Sequence, residues 1–307
     1  MNIELRHLRY FVAVAEELHF GRAAIRLNIS QPPLSQQIKF LEQTIGARLF
    51  TRTNRRVSLT VAGQHFLIDA RQILGLVGAA AARAGRLHHG ESGELRLGFT
   101  SSAPFIRPIS QALSSFRRNF PDVHIQTREM NTRAQIAPLH DEELDLGIMR
   151  NTTLPDSLAW ELILREPLLA MLPSTHPLAR SNTVSLAALV KEPFVFFDPR
   201  VGTGLYDDIL GLLHRYGYTP FITQEVGEAM TIIGLVGAGL GVSILPASFG
   251  RVGLKDVVWL PILEPDAVSE LWLVWPRYRE MPAVAKRFAA LLTAETVREC
   301  AVNHKPK

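Results

Sequence analysis

The sequence predicts three consecutive parts: an all-α N-terminal domain, one long helix and an α/β C-terminal region. Within the first 60 positions, short segments place apolar residues at i, i+3, i+4 and i+7, the spacing of small packed helices. Residues 61 to about 88 keep helical spacing almost throughout. From residue 94 onward, strand-like and helix-like segments alternate, which is typical of α/β folds. A chain of 307 residues is long enough for several domains.

Charge divides the chain in a similar way. Residues 1–90 hold 12 Lys and Arg but only 5 Asp and Glu, whereas the whole chain has a net charge of +4. Positive charge concentrated at one end is expected of a domain that binds a polyanion. The hydrophobic content of 47% indicates a folded chain.

The single cysteine, Cys300, excludes an intrachain disulfide, and no signal or membrane-spanning segment is evident, so we expect a soluble cytoplasmic protein.

The segment from Ser30 to about Ile45 is predicted to be a helix with one polar face. We expect Ser30 to cap it, because a hydroxyl can accept from a free N–H of the first turn. The polar face carries amides, a hydroxyl and one cation but no carboxylate, which suits base edges and phosphates. Taken alone, this face is equally well a solvated surface. The apolar face comprises Leu34, Ile38, Leu41 and Ile45, and the polar face comprises Pro32, Ser35, Gln36, Lys39 and Gln43.

The neighbouring segments favour a helix-turn-helix. A short helix from Phe20 to Leu27 is joined to the next one by Asn28 and Ile29 alone, and another helix precedes it from about Leu5 to Leu18. In a helix-turn-helix the second helix enters the major groove of DNA. Residues 46–60 predict an arginine-rich hairpin, or wing, beside it. We therefore predict base contacts by Gln31, Pro32, Ser35 and Gln36, and phosphate contacts by Lys39, Arg52, Arg55 and Arg56.

The long helix is predicted to pair with a second copy of the chain. Thr60 can cap it, and the helix continues to about His88. Its apolar residues recur in alternating steps of four and three, a heptad seam over three repeats. The alternative is a helix packed on its own domain. The predicted seam consists of Phe66, Ala70, Ile73, Val77, Ala80, Ala84 and Leu87, and for the dimer contact we single out Phe66, Ile73, Val77 and Leu87.

Residues 88–93 break the helix and predict a hinge, after which two sets of strands and helices follow. Because the elements alternate, we expect parallel sheets in two subdomains with a cleft between them. None of the ten histidines has a chelating i, i+4 partner, so no metal site is expected. Strands are predicted at 95–99, 123–130, 144–149, 168–172, 194–197, 221–226, 242–245, 257–262 and 271–275, and helices at 104–120, 133–139, 205–216, 229–236 and 283–298.

Residues 5–63 resemble the N-terminal domain of LysR-type transcriptional regulators. The similarity implies a winged helix-turn-helix that binds double-stranded promoter DNA, dimerisation through the long helix, and assembly into a tetramer, with RNA polymerase a further candidate partner. One departure is His19-Phe20-Gly21, where the family usually has Ser and Thr around the Phe, which affects the cap of the second helix. The matching segments are Leu8 to Glu16, Ala23-Ala24, Ser30-Gln31-Pro32, Leu34-Ser35, Ile38, Leu41-Glu42, Gly46, Leu49-Phe50, Arg52 and Leu59 to Gly63.

The C-terminal region resembles the effector domain of the same family, which is similar to periplasmic solute-binding proteins. The match is looser here, and the most similar branch is the one that responds to benzoate and muconate. The matching segments are Leu97-Gly98-Phe99, Asp145 to Ile148, His176-Pro177-Leu178, Gly234 to Val236 with Gly239, Gly241 and Leu245-Pro246, and, for the branch, Glu129 to Gln135 and Asp266-Ala267-Val268.

Polar residues follow several predicted strands, where ligands bind in open α/β sheets. Free N–H groups and hydroxyls at such junctions suit an anion. Arg150 follows the third strand and can meet a carboxylate, but it is a weaker candidate because the alternative is a pair with a local acid. Each junction alone is more often a helix cap or a turn. The family resemblance places Ser102 and Thr132 on effector-contacting positions. We expect a small organic anion of the aromatic or unsaturated carboxylate class, with no other cofactor, at Thr100, Ser101, Ser102, Asn131, Thr132, Arg150, Gly202 and Thr203.

Three functions are compatible with these patterns. The leading one is an effector-responsive, sequence-specific DNA-binding regulator. A solute-binding protein without a DNA role is the alternative, but it would not use the basic N-terminal domain. An enzyme is disfavoured because the sequence has no Gly-x-Ser-x-Gly elbow and no dinucleotide fingerprint. The predicted domains are residues 1–60, a dimerisation helix at 61–90, and an effector domain at 91–300 with subdomains at about 91–160 plus 267–300 and at 161–266.

Overall fold

The computed structural model describes residues 2–53 and 56–303, and the chain divides into two compact units between residues 86 and 87. Arg55, a predicted phosphate contact, residues 304–307 and the side chain of Cys300 lie outside the described part. None of the helices in the described part combines the length and the apolar character needed to cross a membrane.

Unit 1, residues 1–86, consists of packed helices and a hairpin. Its elements are α1 (Leu5–Glu17), α2 (Phe20–Arg26), α3 (Gln31–Ile45), β1 (Phe50–Thr53), β2 (Arg56–Leu59) and the start of α4 (Val61–His88). Ala23 and Ala24 are buried, and their small side chains let α2 approach its neighbours closely. Leu34 and Ile38 of α3 are fully buried in the same core as Phe11 of α1. The hairpin is antiparallel, as expected of a wing.

The helix caps differ in part from the prediction. Ser30 occupies the N-cap position of α3, but its hydroxyl makes no capping hydrogen bond. A capping side chain accepts from the N–H of the second or third helical residue, and here those residues are Pro32 and Pro33, which have none. At α2, His19 supplies the cap, with Nδ1 accepting from the Arg22 N–H at 3.2 Å. The Thr60 hydroxyl accepts from the N–H of Gly63 at 2.9 Å, as predicted.

The first part of the predicted seam on α4 belongs to the core of unit 1. Phe66 packs edge-to-face on Phe11 with ring centroids 5.0 Å apart, and Ala70 is fully buried. Phe66 and Ala70 therefore pack on their own domain. The fully buried Ala70 cannot reach a partner helix, whereas a dimer contact of the half-buried Phe66 stays a prediction. Further along, Leu74 still packs on the core of unit 1, but several apolar side chains of α4 are exposed. These are Ile73, Leu76, Val77 and Leu87.

Unit 2, residues 87–307, is an α/β unit built on a seven-stranded sheet and a smaller two-stranded one. Its elements are β3 (Gly93–Phe99), α5 (Arg107–Asn119), β4 (Val123–Glu129), α6 (Ile136–His140), β5 (Leu146–Arg150), β6 (Leu158–Pro173), α7 (Leu186–Leu189), β7 (Pro193–Phe197), α8 (Gly204–Arg215), β8 (Phe221–Val226), α9 (Ala229–Gly237), β9 (Ser243–Pro246), β10 (Val257–Pro261), β11 (Val268–Pro276) and α10 (Ala283–Asn303).

The sheets are mixed, which corrects the expectation of parallel sheets. β3 pairs in parallel with β4 and β5, and β7 pairs in parallel with β8. In contrast, β11 is antiparallel to both β5 and β6, and β6 is antiparallel to β9 and β10. The cause is the 16-residue strand β6, whose first part pairs with β11 and whose last part pairs with β9 and β10. The prediction placed a strand only at 168–172.

Two hydrophobic cores lie on either side of the point where β6 changes partners. One core includes residues from Leu95 to Ile163 and from Leu271 to Leu292, and we call this part the first subdomain. The other includes residues from Leu168 to Ala267 and is the second subdomain. Both β6 and β11 therefore connect the subdomains, and the cores divide near the predicted boundaries at 160 and 267.

A proline changes the predicted helix at 104–120. Residues 103–105 form one short 3-10 turn, Ile106 is extended, and α5 begins at Arg107. Pro108 has no N–H to donate to the carbonyl of the residue four positions earlier, and its ring would clash with that carbonyl inside a helix. It is therefore accommodated only in the first turn of a helix. Residues 100–102 consequently precede a 3-10 turn and not a long helix, so no long helix adds its dipole to the N–H groups at this junction.

Candidate DNA-binding face and effector cavity

The predicted polar face of α3 is open to solvent. Gln31, Pro32, Gln36 and Lys39 are exposed, Ser35 is half-buried, and the opposite face lies in the core. Because two prolines occupy the first turn, the Ser30 hydroxyl and the start of the helix are not engaged in a cap. The helix therefore presents amides, a hydroxyl and an ammonium outward on a firmly packed support.

A buried histidine anchors this helix, and sequence patterns did not single it out. His7 of α1 accepts at Nδ1 from the main-chain N–H of Glu4 at 3.0 Å. Its Nε2 therefore carries the proton and donates to Oε1 of Gln37 at 2.7 Å. His7 is 2% exposed, so the hydrogen bond to α3 is shielded from water. This contact fixes the rotation of α3 about its axis, and with it the direction of the polar face.

The wing is attached to α3 through Glu42. Its Oε1 accepts from the N–H groups of Leu49 and Phe50 at 2.8 and 3.0 Å, and its Oε2 lies 3.2 Å from Nη2 of Arg52. The Arg52 guanidinium also lies 4.5 Å above the ring of Phe20. Arg52 thus fastens the wing to the helices, a role that its assignment as a phosphate contact did not include. Arg56 is exposed on β2.

The second predicted site is a cavity of about 520 Å³ in unit 2. It lies at the carboxyl ends of β3, β4 and β5 and is closed on the other side by the start of α8 and α9. Of the eight predicted residues, only Gly202 does not line it. The lining residues that were predicted are Thr100, Ser101, Ser102, Asn131, Thr132, Arg150 and Thr203, and those that were not include Glu129, Phe197, Gly204, Leu205 and Glu228.

Gly202 serves the backbone beside the cavity. It adopts the left-handed conformation, with φ of 74°, and its carbonyl accepts from the Arg133 N–H at 3.3 Å. Nη2 of Arg133 in turn pairs with Asp207 of α8 at 2.8 Å. These contacts link the two subdomains next to the cavity. Gly202 lies outside the cavity lining, and its role as a ligand contact stays a prediction.

Some of the predicted polar side chains cap their own turns. The Thr203 hydroxyl accepts from the Tyr206 N–H at 3.2 Å, and Oδ1 of Asn131 accepts from the Ala134 N–H at 2.8 Å. Main-chain donors remain open at the cavity, because in the ranges 2–53 and 56–303 no acceptor occupies the N–H groups of Ser101, Thr132 or Gly204. The N–H of Gly204 begins the 12-residue helix α8, so the helix dipole adds to its attraction for negative charge.

Gly204 is a glycine because the start of α8 touches the first subdomain. A Cβ at this position would lie 2.9 Å from Cβ of Arg150, 3.0 Å from the carbonyl oxygen of Asn151 and 3.1 Å from the Thr132 hydroxyl. A side chain would therefore push α8 away from the wall of the cavity. The sequence offered a signal for this close approach only in the Gly-Thr-Gly run itself.

Arg150 is the buried cation of the cavity. Its side chain is 1% exposed. Nη2 pairs with Glu166 at 2.8 Å and donates to Oγ of Ser102 at 3.1 Å. Nη1 lies 3.5 Å from Oγ of Ser269. Its Nε has no partner among the described residues. Since Glu166 also accepts from the N–H and hydroxyl of Ser248, at 2.8 and 3.1 Å, the ion pair joins strands and turns of both subdomains. The expectation that Arg150 pairs with a local acid is met by Glu166.

Two carboxyls of unit 2 have raised pKa values. Burial raises the pKa of Asp208 to about 6, against hydrogen bonds from Ser269 and Asn151 and the charge of Arg150. The Ser269 hydroxyl donates to Asp208 at 2.8 Å. Burial, and then the charge of Glu129, raise the pKa of Glu228. Glu228 and Glu129 both line the cavity, whereas Asp208 does not, so the lining holds two carboxyls that sequence patterns did not indicate.

Comparison with known proteins decides the family. Residues 5–64 match the model described as bacterial regulatory helix-turn-helix protein, lysR family, and residues 88–296 match the LysR substrate binding domain. The chain belongs to the LysR family of transcriptional regulators. It is 72% identical over 288 residues to the uncharacterized HTH-type transcriptional regulator YnfL of Escherichia coli (strain K12), covering 94% of this chain and 97% of that protein. It is 37% identical to AlsR of Bacillus subtilis (strain 168), covering 96% and 97%.

Solved LysR structures have the same architecture. The crystal structure of full-length CbnR complexed with its target DNA matches with a TM-score of 0.82 at 28% identity, covering 96% of this chain and all of that chain. Full-length BenM matches with a TM-score of 0.62 at 30% identity, covering 99% of each chain. This LysR regulator is therefore a DNA-binding protein with an effector-binding domain, and not an enzyme. No three His, Cys, Asp or Glu side chains in the described ranges are grouped to hold a metal ion.

Proposed function

We propose that α3 reads promoter DNA through its exposed polar face. The single observation that carries this proposal is the outward row of amides, hydroxyl and ammonium on a helix whose other face is locked into a core. Gln31, Ser35 and Gln36 are assigned to base edges, because amides and hydroxyls can pair there, and Pro32 is assigned to an apolar contact with a base. Lys39 and Arg56, together with Arg55 beyond the described residues and the outer edge of Arg52, are assigned to phosphates.

The cavity of unit 2 is proposed to bind a small organic effector through a carboxylate. Open N–H groups at Ser101, Thr132 and Gly204, with the hydroxyl of Ser102 beside Arg150, form a donor set suited to that group. An effector class like that of the benzoate- and muconate-responsive regulators is a narrower form of this proposal. BenM of Acinetobacter baylyi is 32% identical over 273 residues, which supports the family more strongly than the branch.

The exposed apolar residues of α4 support self-association. Ile73, Val77 and Leu87 are about two-fifths to one-half exposed and follow heptad spacing, so a partner helix would remove them from water. We propose a dimer through this part of α4 and a tetramer by family resemblance. RNA polymerase is a further partner that the family relation suggests.

A mobility-shift titration tests the regulatory proposal. The purified full-length chain is titrated against the DNA upstream of its own gene and against a random duplex of equal length, at one fixed salt concentration. We expect binding to the upstream DNA to be at least a hundredfold tighter. Equal affinity for both duplexes would instead favour a small-molecule-binding protein without a sequence-specific DNA role.

A further inference from the structure

Two carboxylates in the cavity have no role in holding an anion. Glu129 ends β4 in the first subdomain, and Glu228 directly precedes α9 in the second, so they belong to opposite sides of the cavity that both line. Throughout the described ranges, neither carboxylate forms a hydrogen bond or an ion pair. Each is left to water or to a ligand.

The charge of the lining disfavours a ligand that is only an anion. Among the described residues that line the cavity, Arg150 is the sole cation, and Glu166 already neutralises it at 2.8 Å. Glu129 and Glu228, both exposed to solvent, then have no counter-charge in the lining. A simple carboxylate would gain hydrogen bonds from the open donors but would meet the like charges of Glu129 and Glu228.

The cavity lining also has donors that await a partner. Thr132 is 1% exposed, its hydroxyl makes no hydrogen bond within the described residues, and it lines the cavity. Its neighbour Gly204 presents the free N–H at the start of α8, and Nε of the buried Arg150 is unpartnered. These donors therefore fit a carboxylate, whereas Glu129 and Glu228 fit a group with several N–H donors.

We propose that the effector is an amino carboxylate, held with its carboxylate at Thr132, Ser102 and Gly204 and its ammonium between Glu129 and Glu228. This rests on the proposed effector role of the cavity and narrows its ligand class. An ammonium has three donors and can bond both carboxylates at once. Because the two glutamates belong to different subdomains, the ammonium replaces repulsion across the cavity by attraction. The ligand thus favours the state in which the subdomains are close. It can shift the equilibrium between the two states only by the difference in its affinity for them.

The test uses three matched probes of one length: ε-aminocaproate, caproate and hexylamine, with the standard amino acids as a wider set. Binding to the full-length chain is measured by calorimetry and by the shift in melting temperature. The variants are Glu228→Gln and Glu129→Gln, and the control is Glu225→Gln, on β8 and outside the cavity lining. We expect at least one amino carboxylate to bind, and each cavity variant to weaken it about tenfold or more.

The same variants separate a charge effect from a folding defect. Removing Glu228's charge should strengthen caproate binding or leave it unchanged, whereas a damaged cavity would weaken every probe. The proposal is overturned if no amino carboxylate binds, if caproate binds as tightly as ε-aminocaproate, or if Glu228→Gln leaves amino carboxylate binding unaltered. If carboxylates bind without an amino group, the effector role of the cavity stands and only the ammonium site fails. DNA binding is measured separately and is independent of these outcomes.

Discussion

Replacing Glu166 with Gln should destabilise unit 2 strongly. Glu166 is 7% exposed and neutralises Arg150, which is 1% exposed, at 2.8 Å. The amide keeps the shape of the side chain but leaves a guanidinium buried without its counter-charge. Breaking a buried ion pair from one side costs about 3–5 kcal/mol of unfolding free energy. The pKa of Asp208 is raised to about 6, and this carboxyl can ionise more readily once Glu166 is replaced by a neutral amide. Above pH 7 its charge offsets part of the lost counter-charge, so we expect a loss of about 3 kcal/mol there.

The assay for this variant is urea unfolding followed by tryptophan fluorescence. All four tryptophans, at positions 160, 259, 272 and 275, lie in unit 2, so the signal reports on that unit alone. A loss of 3–5 kcal/mol corresponds to a melting temperature lower by roughly 6–20 °C for a unit of this size.

A double variant distinguishes the uncompensated charge from lost packing. Arg150→Met with Glu166→Met removes both charges, and replacing a buried pair by apolar side chains is often close to neutral. We expect the double variant to be more stable than Glu166→Gln alone. The reasoning is refuted if Glu166→Gln lowers the free energy of unfolding by less than about 1 kcal/mol. It is also refuted if the double variant loses as much unfolding free energy as Arg150→Met and Glu166→Met lose separately, added together.

Three further changes have opposite or pH-dependent signs. Because the folded pKa of Asp208 is about 6 against the ordinary 3.8, wild type should lose about 2–2.5 kcal/mol of stability relative to Asp208→Asn as pH rises from about 4 to about 7, and parallel pH curves would contradict this. Gly204→Ala should lower the free energy of unfolding by about 1–3 kcal/mol, because its Cβ would lie 2.9 Å from Cβ of Arg150. Gly211→Ala in the same helix has only one atom within 4 Å of its Cβ and should raise the free energy of unfolding by up to about 1 kcal/mol. Equal effects in thermal melts would rule out the close approach. Ile73→Asp should lower the oligomer size measured by light scattering, because a partner helix would bury its charge. The neighbouring Gln72→Asp should leave the oligomer size unchanged. An unchanged oligomer for Ile73→Asp would count against the seam.

The helical N-terminal fold follows from local patterns, and its errors have local causes. Periodicity places α1, α2 and α3 within about a residue of their ends, because each buries one apolar stripe. The cap expected from Ser30 fails because the two prolines that mark the start of the helix also remove the N–H groups that a cap would need. The contact of His7 with Gln37 joins residues 30 positions apart, and no short-range pattern indicates it.

The cavity was predictable where it depends on strand ends and unpredictable where it depends on side-chain pairing. Polar residues after β3, β4 and β5 meet at one edge of the sheet, so Ser102, Thr132 and Arg150 converge as expected. Glu129 and Glu228 are about a hundred positions apart, and only the approach of the two subdomains makes them neighbours. Mixed sheets arose for a similar reason, since the long strand β6 changes partners at a point that hydrophobic spacing does not mark.

The most direct test of the central claim is the effect of Gln36→Ala on DNA selectivity. Affinity is measured by fluorescence anisotropy on the upstream DNA and on a random duplex over a series of salt concentrations, with Lys39→Ala as the matched variant on the same exposed face. We predict that Gln36→Ala loses about 1–3 kcal/mol on the upstream DNA and little on the random duplex. Lys39→Ala should weaken binding to both and lower the salt slope by about 1. An equal loss on both duplexes for Gln36→Ala would contradict the assignment of α3 as the helix that reads the bases.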